Sequence, residues 1–188
     1  MPSMVAIIPI RSFDGMTRLD SVLTGPQRQR LARLLADRVV SATTAAGLTT
    51  MVVTNSSDVW SWAFENGLAV VDDPGTGLSD AAASGVASTE GHPWLVIHAD
   101  LPLVTPEAIA DVAAIAERST VLAPSSDGGS SAIGGFGRFP FSYGPGSFHR
   151  HLSAVPNAVV VPSPELSIDI DTPVHLSAFP ELIAEITK

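Results

Sequence analysis

Short runs of branched aliphatic residues alternate along this chain with alanine-rich stretches of helical length, and that alternation limits the fold more than any other feature. The runs are residues 5–10, 51–54, 68–71, 94–98 and 120–123. Within them the apolar residues are nearly continuous rather than at every second position, as suits strands covered on both faces. Strands spaced by helices imply βαβ units, so the sequence predicts an α/β fold around a mostly parallel sheet. At 188 residues, the chain has the length of one domain, and residues 1–188 are read as a single unit. Hydrophobic residues make up 45% and charged residues 15%, a balance that fills a core rather than leaving the chain disordered.

Charge and residue usage exclude several function classes. Ten basic residues against 19 acidic ones give a net charge of −9, so the basic footprint of a nucleic-acid binder is missing. There is no cysteine, which removes disulfides, thiolate zinc sites and cysteine nucleophiles and makes a cytoplasmic location the expectation. The basic residues are all arginine except Lys188, so a Schiff-base lysine or a P-loop lysine is not expected. No apolar run approaches the ~18–20 residues that span a bilayer. The opening MPSMVAIIPIRSF lacks the basic start and small-residue cleavage site of a leader, so neither leader nor membrane anchor is expected.

Local signals place the helices. Thr24 or Gly25 opens a long one with Pro26 in its first turn, where the missing N–H costs nothing. Leu31, Leu34, Leu35 and Val39 form its apolar stripe, and Gly47 is the expected stop. A second helix, residues 58–66, carries Trp60 and Phe64 one turn apart, expected as core anchors. After residue 124 the chain turns rich in glycine, serine, proline and aromatics, an excursion expected on one side of the sheet. Residues 167–171 read as a short strand, and Pro173 starts a closing helix.

Ligands of open α/β sheets bind beyond the carboxyl ends of the strands, and four segments meet that test. RSFDGMTRL, residues 11–19, follows the first strand. Such a loop can offer N–H groups and the cations Arg18 and Arg11 to a phosphate, although it lacks the Walker A pattern. HADLP, residues 98–102, ends a strand on Asp100, which suits a Mg²⁺ ligand in phosphoryl transfer or, alternatively, a turn cap. IDIDTP, residues 168–173, holds Asp169 and Asp171 two positions apart. In extended backbone both face one way, ~6.6 Å apart at ~3.3 Å per residue. Asp171 or Thr172 could instead cap the following helix, which leaves Asp169 the sharper signal. Finally, DGGSSA (127–132) and YGPGSFHRH (143–151) offer hydroxyls and free N–H groups, with Ser131, Gly144 and Ser147 suited to a small anionic substrate. His149 and His151 do not face each other at this spacing and are expected at the surface or near a phosphate rather than on a metal. No GxSxG elbow is present, and the glycine cluster at 134–137 has no strand-to-helix context.

Together ADLPLVTPE, GGSSA, YGPGSFHRH and DIDTP resemble the 2-phospho-L-lactate or phosphoenolpyruvate guanylyltransferases of coenzyme F420 biosynthesis, a MobA-like nucleotidyltransferase family. The resemblance runs from IIPIR to IDIDTPVHL. It implies a Rossmann-like three-layer nucleotidyltransferase fold with a mostly parallel central sheet and a small β excursion. It implies that Asp100, Asp169 and Asp171 bind Mg²⁺ beside GTP, that Ser131, Gly144 and Ser147 hold the phosphorylated acid, and that Arg18 faces the phosphates. Gly77 and Ser79 stand in the loop expected near base and ribose, where the family has Gly-Leu-Asn. Arg11 and Met16 stand where the family commonly has lysines, and Gly-Gly-Ser-Ser-Ala replaces Gly-Gly-Thr-Asn-Ala.

The expected activity is transfer of GMP from GTP to phosphoenolpyruvate or 2-phospho-L-lactate with release of pyrophosphate. Such chemistry needs positioning and charge neutralisation more than a side-chain nucleophile. Two other readings remain: a related nucleotidyltransferase with another phosphorylated acceptor, and a non-catalytic nucleotide-binding paralogue. The expected partners are therefore GTP and a small phosphorylated acid, without nucleic acid or membrane, and the alanine-rich helices leave room for a homodimer.

Overall fold

The computed structural model describes residues 4–187. In chain order the elements are β1 (Val5–Pro9), α1 (Gly25–Ala45), β2 (Thr49–Thr54), α2 (Ser57–Glu65), β3 (Ala69–Asp72), α3 (Leu78–Ala87), β4 (Trp94–Ile97), α4 (Pro106–Ala116), β5 (Val121–Pro124), β6 (Ser130–Gly135), α5 (Ser147–Ala154), β7 (Val159–Val160), α6 (Pro164–Ser167), α7 (Pro173–Ser177) and α8 (Pro180–Ile186). The strands form one seven-stranded sheet in the order β3-β2-β1-β4-β6-β5-β7. Only β6 runs antiparallel to its neighbours, β4 and β5; the other pairs are parallel.

Helices cover both faces, as the continuous apolar runs require. Ala6, Ile8, Val52, Leu95 and Ile97 pack under α1, α2 and α4, while Ile7, Val53, Val96, Leu122 and Ile133 pack under α3 and α5. Helix α1 begins where its sequence signals place it. The amide of Thr24 donates to Gln27 Oε1 at 2.8 Å within a capping box with proline in the first turn, and Gly47 follows the helix at φ 82°. Leu31, Leu35 and Val39 are buried, and Leu34 is partly so. A third cluster joins α1 and the loop after β1 to the carboxyl-terminal segment, through Leu19, Leu23, Leu31, Ile170, Leu176, Phe179 and Leu182. Among the described residues, no helix is long and apolar enough to cross a membrane.

Three expectations are corrected. In α2 the buried residues are Val59, Trp62 and Ala63, whereas Trp60 and Phe64 are 45% and 76% exposed. The helix is turned so that Trp62 packs edge-on against Phe13, at 5.4 Å between ring centres, and donates its indole N–H to Asp37 at 2.8 Å. The glycine-rich excursion is not confined to one side of the sheet, because its residues 130–135 are strand β6, inserted between β4 and β5. Residues 167–171 are not a strand. Ser167 closes α6, β7 already occupies the flank of β5, and Ile168 to Asp171 belong to no strand.

Candidate active site

From β1 the chain moves outward to β2 and β3, then returns to place β4 on the other side of β1. The carboxyl ends of β1 and β4 thus flank the point where the winding reverses, the usual ligand position in such sheets. A cleft of about 320 Å³ opens there, lined by Ile10, Arg11, Phe13 and Met16 from the first loop and by His98, Asp100 and Asp169. A second chamber of about 260 Å³ continues past Arg11 and Leu78 to Asp73, Gly75 and Gly77. Gly77 caps α3 with φ 126°, a left-handed angle that favours glycine. Met16, where the resemblance places a lysine, lies at φ 57° and contributes an apolar wall.

Asp100 and Asp169 come from opposite ends of the sequence, and Ile170 brings them together. Its side chain is buried in the third cluster, and its amide donates to the carbonyl of Asp100 at 3.0 Å. Extended backbone alternates its side chains, so burying Ile170 turns Asp169 and Asp171 the other way. Asp169 reaches the cleft. Asp171 instead forms an ion pair with Arg18, which sits in a short 3₁₀ turn, Thr17–Leu19, anchored by buried Leu19. Thr172, not Asp171, caps α7, its hydroxyl accepting from the His175 amide at 3.3 Å.

Asp100 Oδ1 and Asp169 Oδ1 are both buried and have no hydrogen-bond partner among the described residues. Burial pushes the Asp100 carboxyl up to about 6, and the charges of Asp169 and Asp171 push the same way, against the opposing influence of His98. Unsatisfied carboxylate oxygens withdrawn from water need a cation or a proton. The donor set suits Mg²⁺, which takes one or two carboxylates and completes its shell with water and substrate phosphates. The expected cage of three aspartates is not formed. No group of three or more His, Asp or Glu side chains is placed to hold a metal among the described residues, and Asp171 pairs with Arg18.

The residues expected to hold the acid lie on the other side of His98, whose amide donates to the Ser131 carbonyl at 3.0 Å. Because β6 is antiparallel, its first residues stand beside the carboxyl end of β4. Ser131 is buried and donates its hydroxyl to the Ala123 carbonyl at 3.2 Å, so that proton stays within the sheet. Ser147 is buried in the first turn of α5, and its amide donates to the Gly144 carbonyl at 3.0 Å. Gly144 has φ +117°. The Ser79 hydroxyl accepts from the Tyr143 amide at 2.9 Å, so it faces the loop of Gly144. Arg11 is exposed and lines both chambers.

Sequence reasoning left three residues without a role. His98 lines the cleft, and its Nε2 is buried without a partner among the described residues, as is the Tyr143 hydroxyl. Burial raises the Tyr143 phenol well above its ordinary range. His151, expected at the surface or near a phosphate, is instead fully buried, while His149 is exposed. The i, i+4 spacing of Ser147 and His151 on one face of α5 was the available signal.

A family model described as "Guanylyl transferase CofC like" matches residues 4–183. The chain belongs to this family. Among its relatives, a phosphoenolpyruvate guanylyltransferase of Rubrobacter xylanophilus is 32% identical, over 93% of this chain and 92% of its own length. A 2-phospho-L-lactate guanylyltransferase of Haloarcula marismortui is 34% identical, over 90% of this chain and 82% of its own. Solved structures agree on the fold. A nucleotidyl transferase from Methanothermobacter superposes with a TM-score of 0.67 at 17% identity, covering 97% of this chain and 99% of that one. A CMP:2-keto-3-deoxy-manno-octonic acid synthetase complexed with CTP gives 0.62 at 12% identity, covering 97% and 99%. The chain therefore shares the α/β fold of these solved transferases.

Proposed function

We propose that this chain transfers GMP from GTP to phosphoenolpyruvate or 2-phospho-L-lactate, the step of coenzyme F420 biosynthesis that the sequence resemblance implies. The observation that carries the site assignment is the pair of buried, unpartnered oxygens of Asp100 and Asp169 in the switch-point cleft. Relatives named for these two acceptors support the substrate class. An oxygen of the acceptor phosphate attacks the α-phosphorus of GTP; that P–O bond forms, the bond to the β-phosphate bridge breaks, and pyrophosphate leaves. The acceptor is already an anion at neutral pH, so no side chain has to remove a proton.

Asp100 and Asp169 hold Mg²⁺ in this reading. When bound, the ion supplies neutralisation of the phosphate charge at the reacting centre. Arg18, exposed beyond its pair with Asp171, and Arg11 at the junction of the two chambers steer the triphosphate. The chamber beyond Gly77 takes the nucleoside, and Gly144 with Ser147 takes the acid.

The test is pyrophosphate release from GTP, CTP or ATP, each with either acid and with or without Mg²⁺. GTP with one of the two acids should give turnover that chelation abolishes. Turnover confined to CTP or ATP, or to a different phosphorylated acceptor, would overturn the assignment. Mg²⁺-dependent nucleotide binding without turnover on any acid would favour a non-catalytic paralogue.

A further inference from the structure

The loop of residues 142–146 is gripped from several directions by groups that the chemistry above does not use. The Ser142 amide donates to His151 Nε2 at 2.9 Å. Its carbonyl accepts from Arg150 Nη2 at 2.8 Å, and the Tyr143 amide donates to Ser79 Oγ at 2.9 Å. Because Nε2 accepts, the neutral imidazole carries its proton on Nδ1, which donates to Ser130 Oγ at 3.0 Å. The ring is fully buried between Phe139 and Tyr143, at 5.5 and 5.2 Å between ring centres. One side chain therefore ties this loop to the start of β6, and Ser79 ties it to the first turn of α3. That turn begins at Gly77 and Leu78, which line the second chamber.

We propose that Ser79 and His151 are positioning residues for the acceptor: they hold residues 142–146 between α3 and β6, so that Gly144 and Ser147 are in place before the acid arrives. Neither touches the reacting atoms. Ser79 directly follows Gly77 and Leu78, which line the second chamber, yet its hydroxyl is spent on the acceptor loop. Its removal should therefore be felt by the acid rather than by GTP. The proposal rests on the guanylyl-transfer reading for its substrate, and on the hydrogen bonds alone for its geometry.

The experiment combines steady-state kinetics with amide exchange on the full chain, for Ser79→Ala, Ser79→Thr, His151→Leu and His151→Gln. Ser79→Ala should raise the acceptor KM about fivefold, the size of one ordinary hydrogen bond, and leave the GTP KM within about twofold. Threonine, which keeps the accepting hydroxyl, should restore the wild-type value. His151→Leu should act in the same direction, and glutamine, with an oxygen near the Nε2 position, should recover part of the loss. Exchange at the Tyr143 amide should quicken in Ser79→Ala, and exchange at the Ser142 amide in His151→Leu. A rise in the GTP KM in place of the acceptor KM would overturn the proposal, as would unchanged exchange at Tyr143 in Ser79→Ala. Ser79 is only partly buried, so its variants keep the test independent of folding. If wild type turned over none of the acids, the guanylyl-transfer reading would fail, while amide exchange would still decide whether these two side chains hold the loop.

Discussion

The amide of Ile170 donates to the carbonyl of Asp100 at 3.0 Å, joining the loop just after β4 to a segment 70 positions further on. Through that contact Asp169 and Asp100 come to share one cleft, each with a buried oxygen that lacks a partner. Burial of the Asp100 carboxyl, with the charges of Asp169 and Asp171 adding to it, raises its pKa and makes the ionised form costly without a cation.

Asp100→Asn should therefore stabilise the metal-free protein while abolishing transfer. The Asp100 carboxyl is pushed up to about 6 from 3.8. The protonated form is thus favoured in the folded state, and the stability it brings is full below pH 3.8 and gone above about 6. At pH 7 the amide removes a penalty of roughly 1–3 kcal/mol, visible as a higher Tm in EDTA. Turnover should fall roughly 100-fold or more. A lower Tm in EDTA would contradict this electrostatic account.

Arg18 and Asp171 form an exposed pair, 70% and 36% accessible, and such pairs contribute ~0–1 kcal/mol. Arg18→Ala should leave chemical denaturation almost unchanged yet raise the GTP KM about tenfold. An equal loss of stability and turnover would point to a structural role instead.

His151 gives an acid signature. Burial, with the nearby Arg150 charge, lowers its pKa to about 4, so the neutral ring is favoured in the folded state. The stability it contributes is complete above 6.5 and is lost as pH falls through about 4, up to roughly 3 kcal/mol. His151→Gln should show a shallower loss of stability between pH 6.5 and 4 than wild type, measured by urea unfolding at each pH. Parallel curves would show that the ring is not buried neutral.

Gly85 lets α3 lie against the sheet. A Cβ there would stand 2.4 Å from Ile7 Cγ2 and 2.9 Å from Val53 Cγ2. Gly85→Ala should cost about 1–3 kcal/mol through overpacking, seen as a lower urea midpoint, despite the helix preference for alanine.

Much of the fold was readable because each of the strands β1 to β5 holds a short contiguous apolar run, and the pair Asp169 and Asp171 was readable from the period of two around Ile170. Strand β6 escaped because SSAIGG combines small residues with two glycines, a composition that reads as loop. Gly134 is there because a Cβ would stand 2.7 Å from Ala116 Cβ, a tertiary requirement that no local pattern announces. Trp60 and Phe64 lie on one face of the nine-residue helix α2 and Val59, Trp62 and Ala63 on the other, and the contacts of Trp62 with Asp37 and Phe13 bury the second face. The pairing of Asp171 with Arg18, 153 positions apart, was equally invisible, and it is why the proposed metal ligands are Asp100 and Asp169 alone.

The most direct test is mass spectrometry of mixtures of GTP, Mg²⁺ and either phosphoenolpyruvate or 2-phospho-L-lactate, with wild type and Asp169→Asn in parallel. The account predicts a GMP–phosphoacid adduct with wild type that disappears with EDTA and with Asp169→Asn. Undiminished adduct from a folded Asp169→Asn protein would contradict it.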